Sequence, residues 1–263
     1  MADVLLWTLA TSLAYMFLVW LLSLSAGRVC VIDAFWGPGF GLLAGATVML
    51  RPALGLSLEQ KILLAMVLIW GLRLGMHLGI RIASDPHEDR RYAAMRDKYS
   101  PNFHLKSLGI VFLLQGAILW LIAIPVTLGL AATAGRGQPS LLVSGGILWA
   151  LGLAFEAVGD WQLGRFRADP ANRSRVLDTG LWGWTRHPNY FGDFCVWWGL
   201  WLVSIAAGAP LWTILSPAVM GFFLRKVSGV TLLEKDIEER RPGYAEYVKR
   251  TNAFFPLPPG RRV

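Results

Sequence analysis

Gly180-Leu-Trp-Gly-Trp-Thr-Arg-His-Pro-Asn-Tyr-Phe-Gly-Asp193 joins a polar turn carrying Arg186 and His187 directly to an apolar run, and its reading decides how the second half of the chain is built. Proline suits the first turn of a helix, where its missing N–H costs nothing, and it keeps the residue before it extended. The spacing therefore predicts a helix starting near Asn189. Its unpaired N–H groups and the positive end of its dipole would meet Arg186, His187 and the Asn189 amide at one point, a favourable place for an anion such as a cofactor phosphate. The structural alternative is that Arg186 and His187 only mark a membrane–water boundary.

Around this stretch the chain is apolar. Of its 263 residues 55% are hydrophobic and 16% charged, and its mean hydropathy is +0.48, which places it among polytopic all-α membrane proteins. Runs at about 4–26, 32–50, 60–82, 107–132, 140–163, 190–206 and 209–232 have the length, or nearly the length, of a bilayer-spanning helix. The sixth is short. With the N-terminus outside, the inner loops hold Arg28, then Arg81 to Lys106, then Arg165 to Arg186 and the basic tail, whereas the outer loops hold only Arg51, Lys61 and Arg136. That positive-inside bias fits seven helices with a cytoplasmic C-terminus. The net charge of +8 is spread between apolar runs rather than on a soluble face, which argues against nucleic acid. Cys30 and Cys195 have neither disulfide nor metal-ligand spacing, so no metal site is expected. The first apolar run lacks a positive leader region and is read as a retained helix. No repeat or linker interrupts the chain, so 1–263 reads as one membrane domain.

Ionisable residues inside apolar helices are costly and are functional candidates by default. Asp33 opens the second span, and Arg73 and His77 lie one turn apart in the third; mutual pairing for helix packing is the structural alternative. The loop Ser84-Asp-Pro-His-Glu-Asp-Arg-Arg-Tyr92 reads as a turn followed by a short helix. It is either a salt-bridged surface loop or a lid whose Arg90 or Arg91 reaches phosphates and whose Tyr92 points inward. On the fifth span Glu156 and Asp160 stand at i and i+4 on one face, with Arg167 two turns on. This face suits ribose hydroxyls, a carboxamide and a phosphate, or else ion pairs with Arg225 and the loop arginines. The Trp-dense run Phe194–Trp201 reads as an interfacial belt or as a flat wall for a polycyclic or isoprenoid ligand. The tail from Leu232 begins as a charged helix, breaks at Pro242-Gly243 and carries Tyr244 and Tyr247. It suits an anionic lipid surface.

The 180–193 motif resembles the signature of the steroid 5α-reductase superfamily of membrane reductases, which includes the sterol reductases, and its Arg-His-Pro-x-Tyr core is similar to that of isoprenylcysteine carboxyl methyltransferases. The likeness runs loosely from Phe155 to the end of the chain, closing on Gly243-Tyr-x-x-Tyr247 and Phe255-Pro256; it implies a tail folded back over the cofactor, with 133–263 as the cofactor half and 1–132 on the substrate side. It implies NADPH as cofactor. Asp160, Arg167 and Asn189 fall on the family's cofactor-contacting Asp, Arg and Asn, and Arg225 on a further cofactor Arg. Glu156 stands where the family has Asn, and Asp193 where it has Glu. The implied cofactor side comprises Glu156, Asp160, Arg167, Arg186, His187, Asn189, Tyr190, Asp193, Arg225, Tyr244 and Tyr247. The family's carbonyl-polarising Gln-Glu pair has no counterpart in this sequence, and Tyr92, His77 and Asp33 stand as catalytic candidates instead. The expected activity is hydride transfer from NADPH to a C=C bond conjugated with a carbonyl in a steroid or isoprenoid-like lipid. An S-adenosylmethionine-dependent methyltransferase and a non-catalytic lipid-binding protein are the alternatives.

Overall fold

The computed structural model describes residues 1–50, 55–133, 135–227 and 241–258. Among them the secondary structure is entirely helical. The longer elements are α1 (Ala2–Ala26), α2 (Val31–Met49), α3 (Leu58–Ser84), α4 (Arg90–Lys98) and α5 (Phe103–Ala131). They are followed by α6 (Pro139–Ala168), α7 (Pro188–Ala206), α8 (Leu215–Phe222) and α9 (Tyr244–Arg250). Five of these, α1, α2, α3, α5 and α6, are long and apolar enough to cross a membrane. The chain is a multi-pass membrane protein by this criterion. The sixth expected run is α7, a helix of 19 residues that falls outside those five, because Asn189, Asp193 and two glycines dilute its apolar content. The seventh is broken: a 3₁₀ turn at Leu211–Ile214, then α8, then a π-helical turn at Phe223–Val227, with residues 228–232 outside the described range.

The local chemistry explains the boundaries. Gly27 takes a left-handed conformation (φ +67°) that ends α1, as glycine does at helix C-termini. Ser57 and Gln60 form a reciprocal capping box at the start of α3. The described residues divide into two compact units, 1–142 with 203–216, and 143–202 with the residues from 217 on. Residues 203–216 thus belong with the N-terminal part of the chain.

In the first unit α2 and α3 meet backbone to backbone. A Cβ on Gly37 would lie 2.6 Å from the Gly71 carbonyl oxygen, and one on Gly75 within 2.9 Å of the Ala34 carbonyl and Pro38 ring. Small residues allow this approach where no hydrophobic drive separates helix from lipid. α1 runs antiparallel to α5: Trp120 Nε1 donates to the Leu5 carbonyl, Ser12 Oγ to Gly116 and Trp20 Nε1 to His104. Gln60 Nε2 donates to the carbonyls of Gly129, Leu130 and Ala132, satisfying the end of α5.

In the second unit α6 and α7 form an antiparallel seam with glycines seven residues apart on both sides. A Cβ at Gly152 would stand 2.6 Å from the Gly192 carbonyl oxygen, one at Gly192 2.5 Å from the Glu156 nitrogen, and one at Gly199 2.6 Å from the Trp149 nitrogen. The seam continues to Gly159, against Pro188 and Asn189. It brings the first turn of α7 to the acidic face of α6.

Candidate functional site

The second unit assembles most of the residues expected on the cofactor side. α7 starts at Pro188, as its sequence requires. Glu156 and Asp160 are both buried on α6, at 3% and 8% exposure, and Asn189 Nδ2 donates to Asp160 Oδ1 at 3.1 Å. Trp182 Nε1 donates to the Gly159 carbonyl at 3.0 Å, so the 3₁₀ turn Gly180–Gly183 is tied to the same stretch of α6. Gly180 has φ +62° and sits against the Gln162 amide, whose Oε1 accepts from the Leu181 N–H. Asp193 is buried one turn into α7. Arg167 is exposed near the end of α6.

The tail folds back on the signature. Arg186 is buried, its Nη1 donating to the Thr251 carbonyl at 2.6 Å and its backbone N–H to the Asn252 carbonyl at 2.8 Å. Thr185 Oγ1 donates to the Phe254 carbonyl, the Leu257 N–H to the Trp184 carbonyl, and the Tyr247 hydroxyl to the Trp182 carbonyl at 2.5 Å. Tyr244 packs edge-on to Tyr247, and the Arg225 guanidinium lies over the rings of Phe254 and Phe255. His187 stacks on Tyr190 at 5.6 Å, their planes 9° apart. Arg186 thus holds a tail carbonyl and His187 lies flat on the Tyr190 ring. The charged stretch Leu232–Arg240, expected to begin the tail as a helix, lies outside the described residues.

Two open clefts lie beside this assembly. One, about 360 Å³, is lined by Trp161, Gln162, Arg165, Asp169 and Thr179 among others. The other, about 460 Å³, lies between Ser174, Arg175, Asp178 and the tail residues Gly243 and Arg250, with Arg250 paired to Asp178. In the sequence Arg165 and Arg175 are indistinguishable from other positive-inside loop residues. Two buried carboxylates, an amide and exposed arginines form a donor and acceptor set that fits a phosphorylated nucleotide: carboxylates accept from hydroxyls and a carboxamide, arginines donate to phosphate.

The first unit holds a separate polar cluster. Asp33, in the first turn of α2, accepts from the Tyr92 hydroxyl at 2.7 Å on one oxygen and from Arg91 Nη2 at 2.8 Å on the other. Asp89 caps α4 through the Arg91 N–H and also accepts from Arg91 Nε. Glu88 accepts from the Val29 N–H at 2.5 Å and pairs with Arg96. The 84–92 segment is thus docked by its own charges onto the start of α2. Tyr92 is 5% exposed and points inward, and burial, with Asp33 next, pushes its phenol well above the usual range. Burial works against the Arg91 charge, but Asp33 and Asp89 outweigh it and hold its proton more tightly than usual. Arg91 is consequently committed to two carboxylates, not turned out toward phosphates. His77 is half-buried on α3. Gln115 Nε2 donates to the Tyr92 hydroxyl at 3.3 Å. The one signal for Gln115 is that of an amide alone inside an apolar run.

A multi-pass helical membrane protein with a buried acid–amide contact at a helix start is the class this fold and site define. Residues 19–251 match the family described as "Protein of unknown function (DUF1295)", and the chain belongs to that family. It is also 32% identical over 96 residues to an uncharacterized protein of Schizosaccharomyces pombe, a match covering 35% of this chain and 27% of that protein. No solved structure matches.

Proposed function

We propose that the chain is a membrane reductase that uses NADPH to reduce a C=C bond conjugated with a carbonyl in a steroid or isoprenoid-like lipid. The observation carrying this reading is the Asn189–Asp160 hydrogen bond, joined by the buried Glu156 and the Trp182–Gly159 contact. It sets the resemblance's cofactor Asp and Asn together at the start of α7, although they stand 29 residues apart in sequence. When bound, NADPH supplies a hydride to the β carbon of the enone, and a proton reaches the α carbon. In this reading Asp160, Asn189 and Glu156 hold the ribose and carboxamide end, and Arg167 a phosphate. Arg186 and Tyr247 keep the tail closed on the site.

The topology that goes with it has seven membrane segments, with the N-terminus outside and the nucleotide site and C-terminus cytoplasmic, where NADPH is available. The loop charges support it. Protein purified in mild detergent and then denatured should release NADPH or NADP⁺, identified by mass. Release of S-adenosylmethionine would replace this reading with the methyltransferase one, and a protein that neither releases nor binds a nucleotide would fit a lipid-binding role.

A further inference from the structure

Gln115 lies at mid-depth in a membrane-spanning helix. Ser12 Oγ donates to the carbonyl of the adjacent Gly116, which sets Gln115 level with the middle of α1. At about 1.5 Å per residue, the middle of a helix of that length is more than 15 Å from either end. A π-helical turn, Leu108–Leu113, ends two residues before it. Such turns recur at functional sites because the extra residue re-aims the side chains that follow.

The hydrogen bonds around it run in one direction. Arg91 donates to one oxygen of Asp33 and the Tyr92 hydroxyl to the other. With its proton on Asp33, the phenol oxygen accepts from Gln115, which presents Nε2 to it and not Oε1. One N–H of Gln115 is thereby used. Its second N–H and its carbonyl have no partner among the described residues, and Gln115 is only half-buried. Unpaired amide groups at that depth cost free energy unless something polar meets them.

We infer that the Gln115 amide, locked by Tyr92, is a contact for the oxygen of an apolar ligand: its second N–H donates to a ketone oxygen presented from within the bilayer. The inference rests on the reductase reading for the kind of ligand, a lipid-soluble ketone, but its site lies wholly in the first unit. Gln115 is the ligand contact; Tyr92, Asp33 and Arg91 act through it as positioning residues.

The test compares ketone and hydrocarbon on one skeleton, using cholestenone against cholestene, and farnesylacetone against its deoxygenated hydrocarbon. Binding to the full-length chain in lipid nanodiscs is measured for the parent and Gln115→Leu. The quotient of the two affinities, compared between proteins, cancels partitioning into lipid. For at least one skeleton the parent should prefer the ketone about 3- to 10-fold more than Gln115→Leu does, the range expected of one neutral hydrogen bond. A merely structural role would weaken ketone and hydrocarbon alike and leave the quotient unchanged. Tyr92→Phe, which keeps the ring and the ligand-facing amide, should lose a smaller part of the preference. Equal preferences in parent and Gln115→Leu on both skeletons, including no binding by either, overturn the inference. NADPH titration of the same preparations reads the second unit separately, so a failure of the reductase reading shows there and not in the quotient.

Discussion

Asn189 Nδ2 lies 3.1 Å from Asp160 Oδ1, and this bond ties the first turn of α7 to the last turns of α6. Both residues are held there by backbone contact, since Gly159 packs directly against Pro188 and the Asn189 nitrogen. Replacing Asn189 by Ala leaves the buried Asp160 carboxylate short of one donor, which should cost about 1–3 kcal/mol of stability. Thermal unfolding in detergent would measure it. Asn189→Asp should be worse than Asn189→Ala, because a second carboxylate would face the first.

The glycine seam makes a sharper prediction. Gly192→Ala would drive a methyl into the Glu156 nitrogen and the Gly152 carbonyl, both backbone and unable to yield. It should cost at least about 1–3 kcal/mol and reduce the amount of folded protein. Gly146, on the same α6, has nothing within 4 Å of a built Cβ, so Gly146→Ala should be neutral or gain up to about 1 kcal/mol from helix propensity. Equal effects at the two positions would contradict the seam.

This seam shows how much of the fold was legible. The helix start at Pro188, the shared face of Glu156 and Asp160 and five of the apolar spans follow from local chemistry and periodicity, which a sequence displays directly. Pairings across the chain do not. Nothing in the spacing ties Asp33 to Arg91 and Tyr92, because 58 and 59 residues separate them and the loop acids offered Arg91 nearer partners. The contact of Arg186 with the tail is hidden for a related reason: Nη1 donates to a backbone carbonyl, and carbonyls have no signature in a sequence. The break in the seventh run is hidden because hydropathy alone does not distinguish a regular helix from one interrupted by 3₁₀ and π-helical turns.

Tyr92 gives the protein a stability term that depends on alkaline pH. Burial and Asp33 raise its folded pKa, so above pH about 10 the unfolded phenol loses its proton while the folded one keeps it. The folded state then binds more protons, and stability falls as pH rises, by up to about 1.4 kcal/mol per pH unit for one proton. Tyr92→Phe should be less stable than the parent at neutral pH, yet decline less steeply above pH 10. Parallel melting curves for the two proteins would remove Tyr92 from the cluster.

The tail clasp predicts a local effect. Tyr247→Phe removes the hydrogen bond to the Trp182 carbonyl and should cost about 1 kcal/mol. The loss should appear first as faster proteolysis within 244–257, since the tail can open without unfolding the spans. Uniform cleavage across the chain would instead mean the tail opens only with global unfolding.

The most direct measurement is a calorimetric titration of the purified parent and of Arg167→Ala with NADPH, with S-adenosylmethionine as the competing ligand. The parent should bind NADPH, and Arg167→Ala should bind it about 10- to 150-fold more weakly, the loss of one charge-assisted hydrogen bond, with a shallower dependence on salt and unchanged protein yield. A parent that binds S-adenosylmethionine and not NADPH, or an Arg167→Ala variant that binds NADPH as the parent does, would contradict it.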